Sequence, residues 1–162
     1  SNLFGWGFKS GKGSELLSLP NGLTFVPLIC YEAIFSNFLK PSVKNADFIL
    51  QITNDAWFGK SIGPQQHLAQ LRIRAIEYGL PVIRVANTGI TAIIDANGKV
   101  IENLSVNKSG FLDSFIPSRK KSTVYGLFGD LIFLLLIPLT TAVAFITKKF
   151  INQKNPKTRV TK

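Results

Sequence analysis

A long apolar stretch near the C-terminal end constrains this chain more than any other feature of its sequence. Residues 127–146 read LFGDLIFLLLIPLTTAVAFI, and Asp130 near the start is their only ionisable side chain. A helix of about 20 residues rises roughly 30 Å, which matches the hydrocarbon layer of a membrane. We therefore predict one transmembrane helix over residues 128–147. The alternative is a helix buried in the core of a soluble domain.

Pro138 interrupts this stretch and would break a helix in water. Membrane helices tolerate proline where nearby hydroxyl groups satisfy the freed carbonyl group. Thr140 and Thr141 follow within three residues of Pro138. We expect their hydroxyl groups, or groups on neighbouring helices, to fill that role.

Positive charge is concentrated after the apolar stretch. The net charge of the 162-residue chain is +10, but residues 148–162 hold six of the nineteen Lys and Arg residues and no acid. That leaves +4 for the rest of the chain, so the charge indicates a membrane flank and no nucleic acid partner. By the positive-inside rule, residues 148–162 form a basic cytoplasmic tail and residues 1–118 lie outside the cytoplasm. The basic residues of a linker over 119–127 make the other flank positive as well.

Cys30 is the only cysteine of the chain, which excludes an internal disulfide and a cysteine zinc cluster. It follows LTFVPLI, residues 23–29, which we interpret as a buried strand. Helical spacing of apolar residues follows over 32–46, and DFILQIT, residues 47–53, is the next strand. This strand–helix–strand order predicts a parallel crossover in an α/β fold, with Cys30 at the carboxyl end of its strand.

The remaining soluble segments alternate turn signals with regular periodicity. Residues 54–66 read NDAWFGKSIGPQQ and predict a loop, after which a helix begins near Pro64 and ends at a Gly79 cap, with Leu68, Leu71, Ala75 and Ile76 on one face. Two strands are predicted in PVIRVAN and TAIID. A hairpin with a primed turn at Asn97-Gly98 is predicted in DANGKVIENL, and a last strand over residues 110–117.

Two interpretations of Cys30 stay open on position alone. A cysteine attacks as its thiolate, and backbone N–H groups at a helix start would favour that charge and an oxyanion beside it. The alternative is a small hydrophobe in the core. His67, the only histidine, offers a Cys–His dyad or a packing residue. Glu32 is either a supporting acid or a solvated acid at a helix start.

Charged residues in the helix and in the strand after it have a simpler interpretation. We expect Arg74 with Glu77, and also Arg84, to form structural ion pairs. None of the residues in this chain is a convincing general base for Cys30.

Several motifs in order resemble the carbon–nitrogen hydrolase (nitrilase) superfamily. They are CYE at 30–32, NDAWFG at 54–59 and RAIEYGLPVIRVANTGITAIIDANGKV at 74–100. The helix-start motif GPQQHL and the apolar stretch after the last strand are similar to the membrane-bound branch of that superfamily. The resemblance covers nearly all of residues 15–147.

The resemblance implies a nitrilase-like α/β/β/α sandwich whose C-terminal half is this chain, over residues 1–118, followed by the transmembrane helix. It also implies a Glu–Lys–Cys triad in which Cys30 is the nucleophile, while the glutamate and lysine would lie upstream of Ser1. Glu32 matches a supporting position. The resemblance assigns no chemical role to His67. Alone, these residues are expected to be inactive.

The same resemblance implies the substrates and the location. An acyl chain would pass from a phospholipid to a thioester on the cysteine, and then to the α-amino group of a diacylglyceryl-cysteine at a lipoprotein N-terminus. Tyr31, Trp57 and Phe58 would contact the lipid, with no cofactor and no metal. The location would be the bacterial inner membrane, with the catalytic domain in the periplasm. A C–N-hydrolysing amidase and a catalytically silent membrane-anchored binding module are the alternatives.

Overall fold

The computed structural model describes residues 13–154 and contains one six-stranded mixed sheet. The strands lie side by side in chain order. They are β1 Leu17–Ser18, β2 Thr24–Ile29, β3 Phe48–Thr53, β4 Val82–Ala86, β5 Thr91–Ile94 and β6 Val100–Leu104. The α-helices are α1 Ser36–Leu39, α2 Gly63–Tyr78, α3 Val124–Phe128 and α4 Leu131–Lys154.

Strands β2, β3 and β4 are parallel, whereas β1, β5 and β6 pair antiparallel with their neighbours. Ile29 pairs with Ile52, and Ile52 pairs with Val85. The carboxyl ends of the three parallel strands therefore meet at one edge, as the crossover pattern predicts. The short strand β1 was not predicted.

The two faces of the sheet differ in burial. Val26, Ile49 and Val82 are fully buried and form the core together with Leu71 and Ala75 of α2. Alternate residues point to the opposite face.

On that opposite face a row of apolar side chains crosses the three parallel strands. Ile29, Ile52 and Val85 are 67%, 57% and 46% exposed. One side of the sheet is thus packed, and an apolar row remains open on the other.

Helix α2 begins and ends as its sequence indicates. Pro64 lies in the first turn, and Gly79 caps the last turn in the left-handed conformation with φ 64°. Leu71 and Ala75 are buried, and Leu68 packs against the core. Ile76 is exposed, so the prediction that it shares the buried face is wrong. Its side chain instead lies close to Gly98, where an added Cβ would be 2.8 Å from Ile76 Cδ1.

The crossover between β2 and β3 is less regular than predicted. Instead of one helix, it contains the 3₁₀ turn Cys30–Ile34, the four-residue helix α1 and the 3₁₀ turn Val43–Asn45. Phe35 has an extended backbone, with φ −92° and ψ 92°, and this separates the first two. The apolar spacing thus predicted the buried Leu39 correctly but overstated the length of the helix.

The strand predicted over residues 110–117 is absent, because this segment has irregular backbone throughout. Its alternating apolar residues Phe111 and Phe115 are exposed. Alternation indicates which side chains share a face, but a strand also needs a neighbouring edge to pair with.

The turn between β5 and β6 is also different from the prediction. Gly98 has a φ of 75°, whereas Asn97 has no positive φ, so the turn is not of the primed type. The carboxylate of Asp95 instead accepts hydrogen bonds from the backbone N–H groups of Asn97 and Lys99, each at 2.8 Å. This carboxylate makes a three-residue loop with glycine at the left-handed position favourable.

Helix α4 contains an apolar span, Leu131–Ile151, of 21 residues with a mean hydropathy of 2.1 and no buried side chain. Its length and composition suffice to cross a membrane, and the absence of burial disfavours a core helix. Thr140 and Thr141 donate to the carbonyl groups of Leu136 and Ile137. The carbonyl freed by Pro138 belongs to residue 134, so of the two expected sources of compensation the threonines are excluded. Residues 148–154 of the basic tail continue α4, and residues 155–162 lie outside the described residues.

The Asp95 turn makes the stability of the hairpin depend on pH. Burial alone would raise the pKa of Asp95, but hydrogen bonds from Lys99 and Asn97 outweigh it and lower the pKa. A lowered folded-state pKa stabilises the protein above the unfolded pKa, near 3.9, and this contribution is lost as the pH falls through the folded pKa.

We therefore expect Asp95→Asn to reduce the free energy of unfolding by about 0.5 kcal/mol at pH 7, a small value because solvent screens this turn. The difference from wild type should shrink below about pH 3.9. Thermal unfolding at both pH values measures it, with the exposed Asp113→Asn as control. An equal difference at the two pH values would contradict the role of the carboxylate.

Candidate active site

Cys30 occupies a sharp turn at the carboxyl end of β2. It is the first residue of the 3₁₀ turn Cys30–Ile34, and its side chain is half-buried. Its backbone has a φ of 53°, whereas the preceding Ile29 is extended with φ −109°. A left-handed conformation is uncommon for a residue other than glycine and concentrates at functional sites. The helical segment that begins at Cys30 has only five residues, so it is much shorter than the helix that the sequence predicted there.

Glu32 closes this turn with its side chain. Its carboxylate accepts a hydrogen bond of 2.7 Å from the backbone N–H of Ile29. The acid thus fixes the backbone just before Cys30, which fits a supporting residue better than a fully solvated acid.

Aromatic rings gather beside Cys30. The ring of Tyr31 stacks on the imidazole of His67 at 5.0 Å between centroids, and Phe58 lies 6.2 Å from Tyr31 and 5.8 Å from His67. Tyr31 is half-exposed, and Trp57 is 83% exposed on the 3₁₀ turn Asp55–Phe58. Tyr31 therefore lies within the turn Cys30–Ile34, called the thiol turn below, and its ring is near that of Phe58 on the neighbouring turn. Trp57, on the same turn as Phe58, projects into solvent.

A buried cluster of polar side chains lies between the sheet and α2. All five buried polar residues of the described chain belong to it: Gln51, Thr53, Asp55, His67 and Arg84. Its centre is the carboxylate of Asp55.

Three hydrogen-bond donors surround that carboxylate. Arg84 Nη2 lies 2.5 Å from Asp55 Oδ2, while His67 Nδ1 and Thr53 Oγ1 lie 3.1 Å from Oδ1. Burial lowers the pKa of the Arg84 guanidinium from its ordinary value, and the negative charge of Asp55 opposes that shift. The ion pair predicted for Arg84 is confirmed, as is that of Arg74 with Glu77 at 3.0 Å.

This polar cluster contacts Cys30 through the backbone. Gln51 Nε2 donates to the carbonyl oxygen of Cys30 at 2.8 Å, and His67 Nε2 lies 3.3 Å from the same oxygen. No hydrogen bond within residues 13–154 joins an imidazole nitrogen to the sulfur, and Nδ1 faces Asp55. The Cys–His dyad is therefore not formed, and His67 acts as a packing and hydrogen-bonding residue.

Sequence reasoning did not identify Gln51 as part of the site, and it treated Asp55 only as one of several titratable candidates without a role. The signal was a polar residue inside an otherwise apolar strand: Gln51 in FILQIT and Arg84 in VIRVA. These two residues are paired in register across β3 and β4.

The loop that carries Trp57 is tied to the loop after β4. Asn87 Oδ1 accepts from the backbone N–H of Asp55 at 3.2 Å, and Asn87 Nδ2 donates to Asn54 Oδ1 at 2.7 Å. These bonds fix the start of the Asp55–Phe58 turn. Within residues 13–154, no three His, Cys, Asp or Glu side chains converge in a way that would hold a metal ion.

Comparison with known proteins gives a consistent set of relatives. The carbon–nitrogen hydrolase family model matches residues 7–119. Proteins named apolipoprotein N-acyltransferase from Rhizobium rhizogenes and Rickettsia bellii are 43% and 42% identical over 150 residues, which are 92% and 91% of this chain. The chain spans only 28% and 30% of the length of these two relatives. The crystal structure of an amidase from Nesterenkonia sp. superposes with a TM-score of 0.51 at 19% identity, covering 61% of this chain and 40% of the amidase.

Close packing of Gly89 against Asp55 generates a prediction. A Cβ at residue 89 would lie 2.0 Å from Asp55 Oδ2 and 2.6 Å from Asp55 Cγ. Asp55 cannot withdraw without breaking its ion pair with Arg84. Gly89→Ala should therefore lower the free energy of unfolding by about 2–4 kcal/mol, measured by thermal unfolding.

Gly110→Ala is the matched control, because its Cβ would meet Leu104 only at an ordinary 3.5 Å. We expect it to change stability by less than about 0.5 kcal/mol. Equal stability of the two variants would show that Asp55 has room to move.

Proposed function

The chain belongs to the carbon–nitrogen hydrolase family, and from this premise we propose that it is the C-terminal part of an apolipoprotein N-acyltransferase. The observation that carries the proposal is 43% identity to a protein of that name over 92% of this chain. The enzyme would transfer an acyl chain from a phospholipid, through a thioester on Cys30, to the α-amino group of a diacylglyceryl-cysteine at a lipoprotein N-terminus.

The fold is nitrilase-like, and this chain supplies one sheet with α2 on its packed face. In an α/β/β/α sandwich the second face of each sheet packs against the other sheet. The open row of Ile29, Ile52 and Val85 is suited to that contact. We propose that a preceding part of the protein supplies the opposing sheet.

The proposed reaction has two balanced steps. In the first, the Cys30 thiolate attacks the ester carbonyl carbon of the phospholipid, the carbon–oxygen bond breaks, and the leaving alkoxide takes up a proton to give a lysophospholipid. In the second, the acceptor amine attacks the thioester carbonyl, the carbon–sulfur bond breaks, and an amide and the free thiolate result. The proton lost by the amine passes to a general base.

That base is not among the described residues around Cys30. The Glu32 carboxylate is engaged by the N–H of Ile29, and His67 faces Asp55 and a carbonyl oxygen. We propose that a glutamate base and a charge-stabilising lysine lie in the part of the protein that precedes this chain. The residues described here would then supply the nucleophile and its positioning, without the acid–base pair.

Exposed aromatic side chains support lipid substrates. Trp57 is 83% exposed, and the ring of the next residue, Phe58, lies 6.2 Å from that of Tyr31. Tryptophan combines a large apolar ring with a polar N–H and suits the boundary between membrane and water. A membrane helix confines the site to the bilayer, where both lipid-linked substrates are concentrated.

The charge distribution supports an orientation. Residues 148–162 hold six Lys and Arg, against three in residues 119–127, so the positive-inside rule places residues 148–162 in the cytoplasm and residues 1–118 on the other side. For a bacterial inner membrane, that side is the periplasm. The helix Leu131–Ile151 is compatible with membrane association.

An amidase is the second candidate, because the superposed solved structures are amidases. Their identity of 19% indicates the fold alone. A soluble amidase does not require the apolar 21-residue span of α4. This span therefore favours acyl transfer between lipids over amide hydrolysis.

The thioester can be tested directly in the whole membrane protein. Incubation with phospholipid in detergent should add one acyl mass to the Cys30 peptide. The adduct should be labile to hydroxylamine and disappear when a diacylglyceryl-cysteine peptide is added. Mass spectrometry measures both results.

Cys30→Ala is the matching variant. It should reduce acyl transfer by about 10³-fold or more, because the nucleophile is gone, while membrane insertion stays intact. Retained turnover would remove Cys30 from the mechanism.

The role of Trp57 makes a separate prediction. Trp57→Ala should raise KM for phospholipid about fivefold, equivalent to roughly 1 kcal/mol of lost lipid contact. Thermal stability should be nearly unchanged, because this side chain is exposed, and Trp57→Phe should retain most of the affinity. An unchanged KM together with lower stability would instead indicate a packing role.

A further inference from the structure

We infer that Gln51 is a positioning residue for Cys30: its side-chain amide holds the Cys30 carbonyl group, while Arg84, Asp55 and His67 fix the orientation of that amide. The inference rests on the proposed function in one respect, namely that Cys30 is the nucleophile. It concerns residues to which the proposed chemistry gives no role.

The orientation of the Gln51 amide is dictated by Arg84. A guanidinium has only donors, so the group facing it must be the amide oxygen. Arg84 Nη1 does donate to Gln51 Oε1. The amide nitrogen then points the other way, and it donates to the Cys30 carbonyl oxygen at 2.8 Å.

His67 contacts both the Asp55 carboxylate and the Gln51 amide nitrogen. The Asp55 carboxylate only accepts, so the hydrogen of a neutral imidazole lies on Nδ1, 3.1 Å from Asp55 Oδ1. The lone pair on Nε2 then faces Gln51 Nε2 at 3.3 Å and accepts the second amide hydrogen. With this tautomer Nε2 carries no hydrogen, so its 3.3 Å contact with the Cys30 carbonyl oxygen is not a hydrogen bond, and Gln51 is the donor to that oxygen. In this arrangement both hydrogens and the oxygen of the Gln51 amide are satisfied, and the charge of Arg84 is balanced by Asp55.

The framework behind Gln51 is rigid. Gln51 and Arg84 are fully buried and stand opposite each other on the paired strands β3 and β4. Arg84 Nε also donates to the carbonyl oxygen of Ile90 at 3.0 Å. Rotation of the amide would bring its nitrogen against the guanidinium and its oxygen against the Cys30 carbonyl, so both contacts would become repulsive.

Gln51 restrains the backbone of Cys30, which has a strained conformation. Cys30 has a φ of 53°, and such a conformation persists in a residue other than glycine only where the surroundings enforce it. Glu32 holds the N–H of Ile29 on one side of Cys30. Gln51 holds the Cys30 carbonyl on the other. Together the two bonds keep the strained turn, and with it the direction of the sulfur.

The test uses the whole membrane protein with two substitutions of different chemistry. Gln51→Glu keeps the shape and the contact with Arg84 but presents an acceptor to the Cys30 carbonyl. Gln51→Met keeps the length and removes both bonds. Gln66→Glu and Gln66→Met are the matched controls, because Gln66 is exposed on α2.

Three measurements separate positioning from folding and from the proposed function. They are hydrogen exchange of the peptide that contains residues 29–35, kcat and KM for acyl transfer, and alkylation of Cys30 by iodoacetamide. In both Gln51 variants the turn should exchange about tenfold faster or more, since its restraint is lost. The kcat should fall about tenfold to a hundredfold with KM within twofold, because a misplaced sulfur slows attack. Alkylation by a small, freely diffusing reagent should change less than threefold.

Unchanged exchange of the turn in both Gln51 variants would overturn the inference, whatever the activity. Faster exchange with unchanged kcat would overturn it too, since Gln51 would then be a purely structural residue. If the wild-type protein alkylates normally but transfers no acyl group, the proposed function fails, and the exchange measurement still decides the role of Gln51.

Discussion

The buried ion pair between Arg84 and Asp55 is the interaction on which the rest of the site depends. Removing one partner of such a pair leaves an uncompensated charge in the interior and typically costs about 3–5 kcal/mol. Here the pair also orients other groups. Arg84 fixes the Gln51 amide, and Asp55 fixes His67. The backbone of Asp55 begins the turn that carries Trp57. The side chains of Arg84 and Asp55 thus connect the paired strands β3 and β4 with the thiol turn and with the turn Asp55–Phe58.

The sheet explains why a polar cluster can be tolerated at this place. Gln51 and Arg84 occupy the packed face, where Val26, Ile49 and Val82 form an apolar layer. Buried polar groups are costly unless every member of the network is satisfied. Asp55 receives three donors and Gln51 uses its oxygen and its nitrogen, so the cluster meets that condition. A fully satisfied network of this kind is rigid, which is what a positioned nucleophile requires.

The sequence predicted those parts of the fold that depend on local periodicity. The strands around residues 24–29 and 48–53, the helix after Pro64 and the place of Cys30 at a strand end all follow from apolar spacing and turn residues. The segment 110–117 shows the limit, because alternation does not provide a partner strand. The Asn97-Gly98 turn shows another: the carboxylate of Asp95 favours a different turn, and residue pairs alone do not reveal it. Gln51 and Arg84 are 33 residues apart, so their contact is visible only after β3 and β4 pair.

The hydrogen bonds that restrain Cys30 act on the backbone and leave its sulfur open, which suits a lipid substrate. A nucleophile that receives a long acyl chain needs an open approach, and Cys30 is half-exposed and precedes the half-exposed Tyr31 in the thiol turn. Hydrogen bonds to the sulfur itself would compete with the substrate. Glu32 and Gln51 instead act on the backbone on either side of the thiol, from within the turn and from the protein interior. The strained conformation is thereby held without covering the sulfur, and the same arrangement leaves room for a base supplied by another part of the protein.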